Sequence, residues 1–308
     1  ITPEPALGLD EVSLPRVSAL TLFRPFLVHQ LQVQGTAPNP LEAQKLLAEV
    51  HKGKDNPQVR KALDTVMETR PVLLKRDPVL HKYGIQGFKA KAHEGNTIKI
   101  HPLICSGFSA DFDGDAMAVY VPVTPEAVTD ARKMMPSNNL FSEATGKIMY
   151  QPSNEAAMGL FRTTMVGETT VRMKFDSPKA VLEQLDKGAI KHTDQVILNG
   201  KRTTAGRVLL SERLPAQYHE QVLHDFSFQL NKAGIEKLYT ELGTQHRHEF
   251  GKWADKVKDL GYDAATGIVR SSILAGPVSI GAHTLSLRDI APAKGLRDPI
   301  FAAAHKQE

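Results

Sequence analysis

The spacing of apolar residues predicts two amphipathic helices followed by a group of short strands. Residues 41–51 and 59–68 place apolar side chains three and four positions apart, which is the spacing of one buried helical face. Residues 1–35 mix prolines with short apolar runs, so we expect short strands and turns there. Four later segments are bounded by turn residues and are typical of strands. These predicted strands are residues 72–74, 85–91, 97–101 and 117–123. The pattern favours a small β-barrel with a helical insertion at about residues 40–70.

The second half of the chain has mainly helical spacing. Thr124, Pro125 and Glu126 form a typical helix start, with a capping hydroxyl, a proline in the first turn and an early acidic residue. The predicted helices are residues 124–135, a segment from 153, residues 178–188, a segment after 204, and residues 233–242 and 248–260. We therefore predict an α+β fold with two units. Residues 1–150 form the barrel, and residues 151–308 form a mainly helical region that we expect to be truncated.

Composition narrows the class of protein without identifying it. The chain has 308 residues, 41% of them hydrophobic, and 38 basic residues against 34 acidic residues give a net charge of +4. This balance is compatible with a polyanionic partner but does not require one. Cys105 is the single cysteine, which excludes an internal disulfide and a zinc site built from several thiolates.

The longest apolar runs are too short to span a bilayer, so we expect no membrane association and a cytoplasmic location. The residues after Ile1 read like mid-chain sequence, and we expect the chain to be part of a longer polypeptide.

An acidic loop carries the most specific chemistry in the sequence. Asp111, Asp113 and Asp115 alternate with Phe112 and Gly114, and an apolar segment follows directly. Three carboxylates this close repel one another, and a hard divalent cation such as Mg²⁺ compensates for that repulsion while keeping coordination sites for phosphate. Glycine lets the backbone turn tightly enough for the side chains to converge. The loop is therefore predicted to bind magnesium.

Three other interpretations of the acidic loop were weighed. A solvated acidic turn is the simplest, but apolar residues at 102–108 and 116–121 favour a loop anchored on buried strands. An EF-hand needs glycine at its sixth position and glutamate at its twelfth, which here are Ala116 and Pro122. Phosphohexomutases also have an aspartate-rich magnesium loop, but an arginine normally follows it, and here the residue is Ala116.

Longer motifs make the sequence resemble a known family. Residues 70–88 read RPVLLKRDPVLHKYGIQGF, residues 100–105 read IHPLIC, and residues 109–123 read SADFDGDAMAVYVPV. In this order they resemble the active-site region of the largest, β′-like subunit of multisubunit DNA-directed RNA polymerases. The resemblance is strong over about residues 1–165 and continues beyond in scattered pieces.

The resemblance implies a double-psi β-barrel followed by a helical pore or funnel region. It implies that Asp111, Asp113 and Asp115 hold a magnesium ion that activates the RNA 3′ hydroxyl, with a second ion arriving with the nucleotide. The enzyme would be a nucleotidyltransferase that extends RNA from nucleoside triphosphates on a DNA template. It would act only with a β-like subunit, other polymerase subunits and the rest of its own chain.

The resemblance also implies four substrate-binding residues. Arg76 matches an arginine beside the ribose of the incoming nucleotide, and Pro78 matches its neighbouring wall. Ser109 stands where the family usually has a ribose-reading asparagine, and Asn154 where it usually has glutamine. These departures indicate a divergent member. Two other hypotheses remain at this point: a single-chain RNA-templated polymerase of the silencing type, and a catalytically idle assembly scaffold.

Overall fold

The computed structural model describes residues 1–168, 170–274 and 276–281, and it has a mixed α+β fold. The strands are β1 (Thr2–Pro3), β2 (Glu11–Pro15), β3 (Val72–Lys75), β4 (Ile85–His93), β5 (Lys99–Ile100), β6 (Ala118–Tyr120), β7 (Thr170–Phe175), β8 (Gln195–Leu198), β9 (Lys201–Thr204), β10 (Ile268–Arg270) and β11 (Pro277–Ser279). The helices are α1 (Arg16–Leu22), α2 (Arg24–Val33), α3 (Pro40–His51), α4 (Pro57–Thr69), α5 (Cys105–Phe108), α6 (Pro125–Lys133), α7 (Asn154–Thr164), α8 (Pro178–Asp186), α9 (Ala205–Ser211), α10 (His219–His224), α11 (Lys232–Gln245) and α12 (Phe250–Thr266).

A mixed six-stranded sheet organises the first half of the chain. Its strand order is β1-β5-β2-β4-β3-β6. The pairs β1/β5 and β2/β4 are parallel, whereas β2/β5, β3/β4 and β3/β6 are antiparallel. The central strands are apolar toward the core, where Val12, Leu14, Val72, Leu74 and Phe88 are fully buried. The sheet places the end of β3 beside β6, and the acidic loop directly precedes β6.

Helices α1–α4 form the insertion between β2 and β3. Helices α3 and α4 confirm the two helices predicted at residues 41–51 and 59–68. The side chains of Asn39 and Asn56 cap their first turns and fix where they begin. The prediction of short strands in residues 1–35 is confirmed for residues 1–15, which contain β1 and β2, and was wrong for residues 16–33, which form α1 and α2. Pro25 lies in the first turn of α2, where a missing N–H costs no helical hydrogen bond, so proline here marks a helix start.

The second half contains helices and two small sheets. The predicted helices are present as α6 to α9, α11 and α12. The sequence did not predict the three-stranded sheet β7-β8-β9 or the β10-β11 pair, which pack among them. Residues 282–308, which we assigned to the helical region, lie outside the described residues. Within the described ranges, every helix is too short or too polar to cross a membrane.

Helices α7 and α12 pack against each other at two glycines. A side chain at Gly159 would place its Cβ 1.8 Å from the carbonyl oxygen of Gly261, and one at Gly261 would lie 2.4 Å from the carbonyl oxygen of Ala156. The two backbones therefore touch, which only glycine permits. This close contact fixes α12 relative to α7, and α12 also contacts His101, which precedes the segment that leads into the acidic loop.

Candidate metal centre

The acidic loop begins at the end of a short, well-fixed helical segment. A 3-10 turn at Pro102–Ile104 continues into α5, and Ser109 ends it in the left-handed conformation with φ of 50°. The N–H of Ala110 then donates to the carbonyl oxygen of Cys105 at 2.9 Å. The expectation of buried strands on both sides of the loop was wrong, because the upstream side is helical and the downstream strand β6 is only partly buried.

The three aspartates of the loop converge on one point. Asp111, Asp113 and Asp115 each offer a carboxylate oxygen, and these three atoms all lie within 4.8 Å of one another. Asp111 and Asp113 are exposed, whereas Asp115 is partly buried. Gly114, with φ of 123°, supplies the backbone conformation that turns the loop between them. Among the described residues, this trio is the one group of acidic, histidine or cysteine side chains that could hold a metal ion.

Arg76 binds the innermost carboxylate of the trio. Its Nε donates to Oδ2 of Asp115 at 2.6 Å and its Nη2 donates to Oδ1 at 3.2 Å, so the pairing is bidentate. Arg76 directly follows β3, and Asp115 closes the loop before β6, its antiparallel neighbour. The backbone N–H of Asp111 also donates to Oδ2 of Asp115 at 3.1 Å. Asp115 is thus held in place by the protein itself.

The electrostatics of the trio are uneven. The hydrogen bond from Arg76, followed by that from the Asp111 backbone, lowers the pKa of Asp115 below its ordinary value. A side-chain hydrogen bond with Asp113, which favours the protonated form, raises the pKa of Asp111, and the repulsion from the Asp113 and Asp115 carboxylates raises it further. Arg76 in turn has a raised pKa, chiefly because of its hydrogen bond to Asp115. The protein therefore compensates one carboxylate and leaves the other two repelling each other.

The donor set fits a hard divalent cation. Three ionised carboxylates and one guanidinium leave two negative charges, which one divalent ion neutralises. Oxygens bound to Mg²⁺ at about 2.1 Å lie about 3 to 4.2 Å apart, so the observed spread of at most 4.8 Å needs only a small closing movement. Oδ2 of Asp115 accepts from both Arg76 and the Asp111 N–H, whereas Oδ1 accepts one hydrogen bond, from Arg76, so the second lone pair of Oδ1 can bind a metal.

The structure brings Arg76 to the trio, and among the described residues it gives no hydrogen bond between the trio and the other predicted substrate-binding residues. Pro78 lies on an exposed turn, and its peptide bond with Asp77 is cis. Ser109 is exposed at the start of the loop. Asn154 begins α7 with φ of 50° and lines a cavity of about 560 Å³ together with Cys105 and Ser106.

The bidentate Arg76–Asp115 pair was missed by reasoning from the residues. The two residues are 39 positions apart, and neither has a local pattern that indicates the other. Only the pairing of β3 with β6 would have placed them side by side. The family resemblance implied that Arg76 binds the ribose of the nucleotide, and it did not imply the contact with Asp115.

Comparisons with known proteins agree on one family. Residues 1–137 match the family model described as RNA polymerase Rpb1, domain 2. The β′ subunit of DNA-directed RNA polymerase from a Sulfurihydrogenibium species is 36% identical over 273 residues, which cover 85% of this chain and 16% of that subunit. The Dehalococcoides mccartyi subunit is 35% identical over 274 residues, covering 85% and 20%. The Tropheryma whipplei subunit is 34% identical over 281 residues, covering 85% and 21%.

The chain thus spans about a fifth of the length of the curated relatives that it matches. The aligned part includes the acidic loop and the strands that position it, and the three carboxylates of that loop lie close enough together to hold a metal ion. The identity extends across most of the chain and is not confined to one short motif. The chain belongs to the family of the largest, β′-type subunit of DNA-directed RNA polymerase.

Proposed function

We propose that this chain is the catalytic metal-binding part of a DNA-directed RNA polymerase, which extends RNA from nucleoside triphosphates by two-metal nucleotidyl transfer. The observation that carries the proposal is the convergence of Asp111, Asp113 and Asp115 in an exposed loop. Exposure matters because the reacting end of a transcript has to reach the ion. A loop buried inside the chain could hold a structural ion but could not present it to a second macromolecule.

The three aspartates would hold one Mg²⁺ ion. When bound, that ion makes a 3′ hydroxyl a better nucleophile near neutral pH, and a second ion offsets charge on the leaving group. The chain's own contribution is to fix Asp115 through Arg76 and to leave Asp111 and Asp113 at the open side of the loop. Without an ion, the carboxylates would repel the phosphates of a substrate, so the loop binds substrate only in its metal-bound form.

Arg76 would serve two partners. In the part of the chain that the structure describes, its guanidinium uses two of its N–H groups on Asp115. A guanidinium has five such donors, so three remain for the hydroxyls of a nucleotide sugar. Pro78, Ser109 and Asn154 are further substrate contacts in this proposal. Their support is the family resemblance, together with the place of Ser109 at the start of the loop and of Asn154 at a cavity that is also lined by the segment leading into the loop.

The sheet and the later helices take their proposed roles from the same family. We propose that the six-stranded sheet is the core of a double-psi β-barrel and that the region from residue 151 begins the pore or funnel. The mixture of parallel and antiparallel pairs around β2 supports the assignment of the sheet to a double-psi β-barrel. Because the chain is a fifth of its relatives' length, activity would require the rest of the subunit, a β-like subunit and other subunits. The complex would act on DNA, RNA and nucleoside triphosphates in the cytoplasm.

The substitution Asp113→Asn tests this function in the assembled polymerase that contains the full-length subunit. It removes one charge from the trio and keeps the volume of the side chain. We expect RNA synthesis to be lost while subunit assembly, followed by gel filtration, is unchanged. Asp64→Asn is the matched control, because Asp64 is an exposed aspartate on α4. Undiminished synthesis by Asp113→Asn would contradict the proposal and would favour an idle scaffold.

A further inference from the structure

A second group of ionisable side chains lies inside the protein, next to the segment that leads into the metal loop. His101 follows β5, and Asp255 and Lys258 lie on α12, so the group joins parts of the chain that are 154 residues apart. The side chains of His101 and Lys258 are completely buried, and that of Asp255 is 28% exposed. We call these three residues the buried cluster. Buried charges are rare unless they are paired, and here each one has a partner.

His101 connects α12 to the start of the 3-10 turn. The backbone N–H of Leu103 donates to its Nδ1 at 3.1 Å, and its Nε2 lies 2.6 Å from Oδ1 of Asp255. Since Nδ1 accepts a hydrogen bond, the neutral ring carries its proton on Nε2 and donates it to Asp255. Burial lowers the pKa of His101, against the opposing effect of the Asp255 hydrogen bond, which favours this neutral form. The imidazole therefore has one defined tautomer and one defined orientation.

Lys258 balances the charge of the buried cluster. Its Nζ donates to the carbonyl oxygen of Pro5 at 2.6 Å, and it lies 3.2 Å from Oδ1 of Asp259 and 3.4 Å from Oδ1 of Asp255. It also lies 3.2 Å from Nε2 of His101, which carries a proton in this tautomer and so cannot accept from it. One ammonium thus faces two carboxylates, a backbone carbonyl and the edge of the imidazole. Because Asp255 receives the imidazole N–H and the attraction of Lys258 together, its carboxylate is held against His101.

The segment between His101 and the metal loop has little freedom to absorb a displacement. The 3-10 turn and α5 follow each other directly, and Ser106 Oγ donates to the carbonyl oxygen of Met149. A Cβ at Gly107 would lie 2.6 Å from Nε2 of Gln86, so α5 is packed directly on the neighbouring strand β4. A shift of His101 would therefore move the start of the loop. Metal sites depend on ligand positions within a fraction of an ångström.

We propose that Asp255 and Lys258 are positioning residues for the metal loop, and that they act through the imidazole of His101. Helix α12 is a suitable support, since Gly261 packs it directly against α7. The carboxylate–histidine contact orients the turn whose continuation carries Asp111. This inference rests on the proposed function, because the position of the loop matters only if the loop holds an ion.

The test uses the assembled polymerase with the full-length subunit and measures Mn²⁺ affinity by electron paramagnetic resonance without nucleotide. The Asp113→Asn complex defines the signal that belongs to the loop. Asp255→Ala removes the acceptor of the imidazole proton, and we expect the affinity of the loop for Mn²⁺ to fall about tenfold, as for other residues that orient metal ligands. Asp255→Asn keeps an acceptor oxygen for the imidazole and should restore most of the affinity.

Hydrogen exchange measured on the same complexes separates positioning from general stability. In Asp255→Ala, the amides from Leu103 to Asp111 should exchange faster, while α12 keeps its protection through its contact with α7. His101→Asn should behave like Asp255→Ala, because asparagine can still accept from the Leu103 N–H but is too short to reach α12. Lys252→Ala, an exposed change on the same helix, should leave both readouts unchanged.

The outcomes distinguish the two proposals. If Asp113→Asn removes no Mn²⁺ signal, the proposed function fails. If it removes the signal and Asp255→Ala keeps wild-type affinity and exchange, the positioning role alone is overturned. Faster hydrogen exchange throughout α12 in Asp255→Ala would also overturn the positioning role. The contact between Asp255 and His101 would then stabilise the helix and would not position the loop.

Discussion

The metal loop and the buried cluster both contain charged side chains, but those of the loop are exposed and only partly compensated, whereas those of the buried cluster are paired. In the loop, Asp111 and Asp113 are exposed and close together, and Arg76 compensates only their neighbour Asp115. In the buried cluster, Lys258 and His101 are fully enclosed, and each has hydrogen-bonding partners from other elements. The cluster is complete without any added ion, whereas the loop still carries a net negative charge.

This difference separates stability from function. Unpaired charges inside a protein destabilise it strongly, so the buried cluster has to be satisfied for the chain to fold. Repelling charges at the surface cost much less because water screens them, so a protein can keep them for binding. Changes in the buried cluster should therefore alter the free energy of unfolding as well as the position of the loop, while changes in the loop should act mainly on proton and metal binding.

The largest effect on stability is expected for Lys258→Met. Methionine keeps most of the buried stem but leaves the carbonyl oxygen of Pro5 without its donor and two carboxylates without their cation. We expect the free energy of unfolding to fall by about 2–3 kcal/mol, below the usual range for buried pairs because Asp255 and Asp259 are partly exposed. Urea denaturation of the purified chain measures this change.

Lys252→Met is the control for that substitution. Lys252 lies on the same helix, is exposed, pairs with exposed Glu249 and has its ammonium 4.9 Å from the centre of the Trp253 ring. Its replacement should change the free energy of unfolding by no more than about 0.5 kcal/mol. If the two variants were equally stable, the buried cluster would not contribute what the comparison assigns to it.

A smaller, pH-dependent effect is expected for Arg76→Met. The pKa of Asp115 should rise, because the guanidinium that lowers it is gone. In the wild type, the lowered pKa gives stability that is present above the ordinary value of 3.8 and is lost as the pH falls through the folded-state pKa. The variant should therefore be less stable than the wild type at neutral pH and should approach it in acid. If the difference in stability between the variant and the wild type instead grew as the pH fell, the Arg76–Asp115 pair could not be its cause.

The smallest effect concerns Asp111, whose raised pKa has the opposite consequence. Its stabilising contribution is present below 3.8 and is lost as the pH rises through its folded-state pKa, because ionisation then adds repulsion. Asp113→Asn should lower the pKa of Asp111, which carboxyl carbon chemical shifts in an NMR titration would report. An unchanged pKa would mean that Asp113 does not perturb Asp111.

Local sequence predicted those parts of the fold that local contacts determine. Helices α3, α4 and α6 begin at capping residues followed by proline, and their predicted boundaries agree with the structure within a few residues. Helix α2 was missed because Pro25 was interpreted as a turn residue, although proline in a first helical turn is favourable. Strands β7 to β9 were missed because they are short and depend on pairing with each other.

In the candidate site, too, the residues that are close in sequence were predictable and their distant partners were not. The three aspartates lie within five consecutive positions, and their spacing, the apolar residues on both sides and the family resemblance together indicated a common ligand. The partners that hold the site are distant in sequence, since Arg76 is 39 residues from Asp115 and His101 is 154 residues from Asp255. No periodicity in one sequence reports such pairs, because they arise only when strands and helices pack.

The most direct test of the central claim is anomalous scattering from crystals of the assembled enzyme soaked in manganese. The account predicts one strong peak bound by oxygens of Asp111, Asp113 and Asp115 at about 2.0–2.3 Å, with Arg76 still beside Asp115. Aspartate side chains that remain spread apart toward solvent, with no peak between them at saturating manganese, would contradict it.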